Sequence, residues 1–197
     1  MIDSTQKKQR QECRNKRKSL LPAYRKKATL AATNNLKKLF CFQKSKRVAC
    51  YVANDGEISP HLIINFLWKQ KKSCYLPALD PLKIKKLRFL TYDRDSQLHN
   101  NHYGIAEPNA SIKNSLQPWA LDLIITPVVG FDCDGHRIGM GGGYYDRTLS
   151  YLRTRQHWRK PYIVGFTFDE QELVHIHTNK WDIPMNAIVT PTRVIYP

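Results

Sequence analysis

Several absences narrow what this chain can be. It has no run of 18 apolar residues and no apolar core behind its first residues, so the sequence predicts neither a membrane-spanning helix nor a secretory leader. Its five cysteines, Cys13, Cys41, Cys50, Cys74 and Cys133, form an odd set with no C-x-x-C pair. That pattern argues against a disulfide framework and a zinc ribbon, and suits a reducing cytoplasm. Acidic residues are scarce at one end: residues 1–47 hold 15 Lys or Arg against Asp3 and Glu12 alone, a net of +13. The remaining 150 residues carry a net of only +3. Internal repeats and low-complexity linkers are also missing.

The basic segment offers two readings. A solvated helix face is one; a surface for nucleic acid, an acidic membrane or a polyanionic small molecule is the other. Its aromatics, Tyr24, Phe40 and Phe42, are sparse for a single-strand platform, and no zinc-finger or RNP-like pattern occurs. A nucleic-acid-binding protein is therefore the alternative reading, not the leading one. His175 with His177, and His99 with His102, could each give two ligands to a metal, but no third ligand is apparent in the sequence.

The length of 197 residues suits one domain with a sizeable core. Residues 4–19 are polar and helix-favouring. Over 23–40, Ala28, Ala32, Leu36, Leu39 and Phe40 recur at helical spacing. Val48–Ala53 reads as a buried strand. Ser59-Pro60 follows as a capping serine with a first-turn proline, opening a helix whose apolar stripe is Leu62, Ile63, Phe66 and Leu67. Short strands are expected at 73–77 and 87–91, with Pro77, Asp80 and Pro81 marking the loop between them. Residues 93–114 read as a long loop. Strands are expected at 121–129, 162–166 and 187–194, with a short helix at 170–174. Helices alternating with buried strands predict an α/β protein.

The most informative stretch is Phe131–Asp146, in which Gly139, Gly141, Gly142 and Gly143 fall within five positions. An apolar run precedes it and a helix over 144–153 is expected after it. Such a loop offers backbone N–H groups to an anion, and glycine allows close approach and positive φ. Arg137 opens the loop and Asp146 closes it, which suits a nucleotide phosphate with a divalent cation. No Lys-Ser or Lys-Thr follows, so this is not a P-loop, and Tyr144 stands where G-x-G-x-x-G needs its third glycine.

Taken with other separated segments, this stretch makes the chain resemble the 5-formyltetrahydrofolate cyclo-ligase (methenyltetrahydrofolate synthetase) family. These are Arg10–Leu20, Asp55-Gly-Glu-Ile58, Tyr103-Gly-Ile-Ala-Glu-Pro108, Asp122–Pro127 leading into Phe131–Arg147, and Trp181-Asp-Ile-Pro-Met185 with Thr190-Pro191. The resemblance implies a three-layer α/β/α sandwich with a mixed, mostly parallel sheet, one domain over 1–197 and a monomer. It also implies an ATP- and Mg²⁺-dependent ligase of one-carbon metabolism, closing 5-formyltetrahydrofolate to 5,10-methenyltetrahydrofolate. Arg137, Tyr145 and Asp146 are then expected to be catalytic. Lys7, Arg10, Arg137, Ile138, Gly139, Met140, Gly141, Gly142, Gly143, Tyr144 and Tyr145 are expected at the nucleotide. Val52, Glu57 and Tyr103 are expected at the folate, with Met140, Gly141, Gly142, Gly143 and Tyr144 shared. Asp146 and Asp182 would hold Mg²⁺.

The chain departs from the family pattern twice: Gln6 stands where a lysine is usual, with Lys7 beside it, and Asn186 where aspartate is common. The basic N-terminus suits a folate with an anionic glutamate tail. Another ATP-using enzyme, such as a small-molecule kinase with the same loop, is a third reading.

Overall fold

The structure, a computed structural model, describes residues 4–80, 85–111, 114–155 and 160–197. Pro81 of the expected loop lies outside the described residues. Helix α1 (Ser4–Ser19) is followed by α2 (Pro22–Lys38), with Pro22 in its first turn. The helix expected over 23–40 breaks at Leu39, whose backbone is extended (φ −66°, ψ 126°), and a short α3 (Phe40–Lys44) follows. This break lets Leu39 and Phe42 both reach the core.

Strand β1 (Arg47–Ala49) is shorter than expected, and α4 (His61–Lys69) starts one residue later than the capping pattern suggests. Pro60 takes the cap position and no side chain caps α4; Ser59 Oγ accepts a long bond from the His61 N–H at 3.4 Å. Strands β2 (Ser73–Leu79) and β3 (Leu87–Thr91) come next. The segment expected to be a plain loop carries a hairpin, β4 (Leu98–Asn100) with β5 (Ala106–Pro108). After β6 (Leu123–Pro127), a small hairpin of β7 (Gly130–Phe131) and β8 (Arg137–Ile138) delivers the chain to the glycine loop. Helix α5 (Tyr144–Leu149) is brief and passes into a 3₁₀ turn over Ser150–Arg153. Strand β9 (Tyr162–Phe166) is followed by a 3₁₀ turn, Asp169–Gln171, in place of the expected helix. The last expected strand is two antiparallel ones, β10 (Ala187–Val189) and β11 (Val194–Ile195).

Seven strands form one sheet in the order β11-β10-β9-β6-β1-β2-β3. The inner pairs are parallel, and only the outer strands β3 and β11 run antiparallel. Alternate residues face opposite sides, as pleating requires. Val48, Leu123, Ile125 and Val164 pack with Ala32 and Leu36 of α2 and Ile63 and Leu67 of α4. Ala49, Ile124, Ile163 and Ile188 pack on the other side with Leu149 of α5, Phe131, Ile183 and Met185. The fold is thus α/β with a mixed, mostly parallel sheet. Among the described residues, no helix is long and apolar enough to cross a membrane.

Strand order positions the site. From β1 the chain builds outward through β2 and β3, and from β6 outward through β9 and β10. The reversal falls between neighbours β1 and β6, and in open parallel sheets the crevice at the carboxyl ends of such strands is the usual ligand position.

Candidate active site

The glycine loop links β8 to α5. Gly141 (φ +96°) and Gly143 (φ +64°) occupy the left-handed region, which a side chain would strain. Gly143 caps α5 without any side-chain bond to the helix amides. With α5 only six residues long, its dipole is short, and most of the positive charge comes from arginines. Arg10 reaches from α1 to donate through Nε to the Gly139 carbonyl at 2.7 Å. Arg137, with its side chain 6% exposed, donates to Asp146 Oδ1 at 2.6 Å and to the Ile183 carbonyl at 2.5 Å. Arg147 donates to the Gly142 carbonyl.

These groups line a cleft of about 370 Å³, where Arg10, Arg137, Arg147 and Arg153 outnumber Asp146 and Asp182. Trp181 and Gln6 complete its rim. A second cleft of about 440 Å³ opens where β1 and β6 end, between Tyr51 and Val52 on one side and Pro127 and Val129 on the other. Leu79, Ile105, Met140 and Tyr145 make it largely apolar. Arg137, Gly139, Gly143 and Asp146 line both clefts.

Glu57 is a deeply set carboxylate of the apolar cleft, its side chain 9% exposed. Burial pushes its carboxyl up to about 7, opposed by the Asn54 N–H at 3.1 Å and by Arg17. The turn that carries it is strained: Asp55 (φ 48°) and Gly56 (φ 80°) are both left-handed. Cations from the basic segment hold this turn. Arg14, Arg17 and Lys18 all bond the Asp55 carboxylate, at 2.8, 2.7 and 2.6 Å, and Arg25 donates to the Gly56 carbonyl. Burial acts to raise Asp55, but those three cations outweigh it and hold the carboxylate well below its ordinary range. Part of the N-terminal charge is therefore internal, spent on one turn.

The sequence-expected residues divide between the clefts. Arg10, Ile138 and Gly141 line the arginine-rich cleft; Val52, Glu57, Tyr103, Met140, Gly142, Tyr144 and Tyr145 line the apolar one. Ile138 is buried in a small cluster with Cys13 and Val129, and its carbonyl accepts the Val129 N–H at 2.9 Å. Lys7 is exposed and lines neither cleft; Gln6 does, while donating to the His177 carbonyl at 2.6 Å. Tyr103 extends from the β4–β5 hairpin, and its hydroxyl meets that of Tyr144 at 2.9 Å, bridging the apolar cleft's rim. The Tyr145 ring packs in the core, and burial first, then Glu57, raises its phenol well above the ordinary value. Its hydroxyl therefore stays protonated at neutral pH. Asn186 lies elsewhere: its side chain accepts the Ile163 N–H at 2.7 Å, at the opposite end of the sheet.

Sequence reasoning missed Arg147, Arg153 and Trp181 at the first cleft and Leu79, Leu87 and Ile105 at the second. Arg147 and Trp181 directly adjoin Asp146 and Asp182, and that adjacency was the available signal. Elsewhere, His175 does gain neighbours, since ligand atoms of Asp132, Asp134 and His175 lie within 4.8 Å of one another. Asp132 is fully buried, however, and its oxygens already accept N–H groups of Asp134, His136 and Ile176. That is the bonding of a turn-organising aspartate.

The donor set of the first cleft fits a hard divalent cation. Asp146 uses Oδ1 for Arg137 and the Ile183 N–H, and Asp182 uses Oδ2 for the Asn179 N–H. Each keeps its other oxygen without a hydrogen bond among the described residues. Two carboxylate oxygens facing one basic cleft suit Mg²⁺, which retains waters and takes phosphate oxygens.

Fold and site define an α/β protein with a basic cleft and an apolar cleft meeting at one glycine loop. Comparison with known proteins makes this specific. The sequence model of the 5-formyltetrahydrofolate cyclo-ligase family matches residues 3–191, and the chain belongs to that family. It is 39% identical over 190 residues to the 5-formyltetrahydrofolate cyclo-ligase of Haemophilus influenzae, covering 94% of this chain and 98% of that protein. The Escherichia coli protein of the same name is 41% identical over 149 residues, covering 75% of this chain and 79% of the other. Among solved structures, 5,10-methenyltetrahydrofolate synthetase of Aquifex aeolicus superposes with a TM-score of 0.81 at 29% identity. That superposition covers 97% of this chain and 92% of the other.

Proposed function

We infer that this chain converts 5-formyltetrahydrofolate to 5,10-methenyltetrahydrofolate, the reaction for which its relatives are named, with cleavage of ATP to ADP and phosphate. The observation that carries the ATP-dependent reading is the shared wall. Arg137, Gly139, Gly143 and Asp146 face a basic cleft on one side and an apolar cleft on the other. A phosphate donor and a flat aromatic acceptor bound in the two clefts would meet there.

The chemistry requires such a meeting. A formamide oxygen is a poor leaving group, so N10 of the folate cannot expel it unaided. Transfer of the γ-phosphoryl group to that oxygen makes it leave as phosphate when N10 closes the ring. Holding both substrates side by side makes the transfer effectively intramolecular, and phosphoryl transfer depends mainly on positioning and charge neutralisation. The main chain of Gly139–Gly143 cradles the phosphates, and Arg10 and Arg137 neutralise them. Glu57 accepts hydrogen bonds from the pterin, Tyr103 and Tyr144 cover its face, and Val52 and Met140 supply apolar contact. Tyr145 keeps its proton and donates into the cleft. Mg²⁺ held by the free oxygens of Asp146 and Asp182 would supply further charge neutralisation.

Both clefts are complete within one chain, which supports a monomer acting as one domain over 1–197. Five free thiols suit the cytoplasm. The test mixes the protein with Mg-ATP and 5-formyltetrahydrofolate and follows the methenyl product by absorbance. Product that appears only when ATP is present supports the reading. No product at high enzyme concentration would contradict it.

A further inference from the structure

We propose that Arg17 is a positioning residue for folate recognition, a buried guanidinium that orients Glu57 and fixes its charge. The proposal rests on the reading of Glu57 as the pterin-binding carboxylate.

Arg17 lies on an otherwise polar, basic helix, yet it is completely buried, as is Cys13 one turn earlier. Its Nε donates to the Asp55 main-chain carbonyl at 2.9 Å and one terminal nitrogen to Asp55 Oδ2 at 2.7 Å. The other terminal nitrogen, Nη1, is buried with no hydrogen-bond partner. It lies 3.9 Å from Glu57 Oε1. Two corners of the guanidinium are thus anchored on Asp55, and the third lies beside the Glu57 carboxylate of the apolar cleft. A buried donor without a bond is destabilising unless charge or function offsets it. Arg25 donates to the Arg17 carbonyl and so fixes the backbone behind it.

The surroundings leave this task to Arg17. Asp55, on the same turn, repels Glu57 but is itself bonded by Arg14 and Lys18. Tyr51, after β1, and Tyr145, on α5, also face Glu57, and burial keeps both phenols protonated. Among the described residues, Arg17 is the cation within ion-pair distance of Glu57. Burial pushes Glu57 up to about 7 even with Arg17 facing it, and without that cation the carboxyl takes up its proton at higher pH still. It then presents an O–H, and loses an acceptor for the N–H groups along a pterin edge.

The sign follows. Folate affinity rises with pH as Glu57 ionises, and Arg17 draws that ionisation to lower pH. Full-length R17M and R17Q should shift the Glu57 midpoint upward by about 1–3 pH units, the range for an opposite charge at this separation. The midpoint is read by carbon NMR of the Glu57 carboxyl in folate-free protein. With a starting midpoint of about 7, the folate KM at neutral pH should rise about fivefold for a midpoint displaced by a unit and more for a larger displacement, with ATP KM little changed, and raising the pH should restore it. R17K should recover most of the wild-type profile. D55N loosens the same turn but keeps the Arg17 charge, so its Glu57 midpoint should not rise.

An unshifted Glu57 midpoint in both R17M and R17Q would overturn the proposal. So would D55N reproducing their upward shift, or a folate defect that raising the pH does not relieve. E57Q separates the two readings. If E57Q binds folate normally, the pterin assignment fails and this role falls with it; if E57Q is impaired while the R17M midpoint stays put, Arg17 alone is excluded.

Discussion

Replacing Arg137 with glutamine tests the shared wall between the clefts most sharply. The wild-type side chain is 6% exposed and forks between Asp146 at 2.6 Å and the Ile183 carbonyl at 2.5 Å. Truncating one partner of a fully buried pair costs about 3–5 kcal/mol, mostly by stranding the other charge. Asp146 is a quarter exposed and keeps the Ile183 N–H at 3.2 Å, so a smaller loss of about 2 kcal/mol is expected. For a chain of this size that corresponds to a fall in Tm of about 4–8 °C, leaving a folded protein at 25 °C. Catalysis should suffer more. Removing one preorganised donor that meets transition-state charge lowers kcat by about 10²–10³. Arg137→Lys keeps the charge but loses the fork and should fall between wild type and glutamine. The assay is methenyl formation under saturating Mg-ATP and folate, alongside thermal melting. A folded R137Q enzyme with kcat within about threefold of wild type would refute the assignment of Arg137 to the reacting phosphate.

Three further outcomes are expected. Gly143→Ala forces an alanine to φ +64° and puts a Cβ 2.9 Å from the Arg147 guanidinium; stability should drop by about 1–2 kcal/mol, and ATP KM should rise more than folate KM in steady-state assays. Tyr103→Phe removes the 2.9 Å hydroxyl contact with Tyr144. Losing one hydrogen bond of about 1 kcal/mol should raise folate KM about fivefold, whereas Tyr103→Ala, which also strips the ring, should raise it further. Asp122 is bonded by the Lys46 and Arg47 N–H groups and by Lys160, and although burial acts to raise it, these partners hold it down at about 2. Because the folded value is depressed, its stabilisation is present above the usual carboxylate range and is lost as pH falls from about 4 towards 2. Asp122→Asn should therefore melt lower than wild type at pH 7, with the gap closing in acid.

Legibility of the sequence followed local chemistry. Strands β3 and β9 are short apolar runs between polar breaks, and each appears at its expected bounds. The glycine loop was visible because glycines at positive φ have few other uses. The β4–β5 hairpin was not, because each strand is only three residues long and largely polar, with no alternation to betray pairing; yet it carries Tyr103. The break at Leu39 was hidden because Leu39 and Phe40 continue the helical spacing of α2. Arg17 was the least legible of all. In a run of lysines and arginines nothing local marks one as buried; its burial depends on Asp55, 38 positions away. Division of the site into two clefts likewise depends on strand order, which brings the ends of β1 and β6 together over a long sequence separation.

The central claim is that the main chain of Gly139–Gly143, with Arg10 and Arg137, grips a triphosphate beside a folate. A structure determined with Mg²⁺, a non-hydrolysable ATP analogue and 5-formyltetrahydrofolate tests it directly. Phosphates should lie against those amides, and the pterin in the adjoining cleft at Glu57. Phosphates lodged elsewhere, with the glycine loop free of ligand, would contradict it.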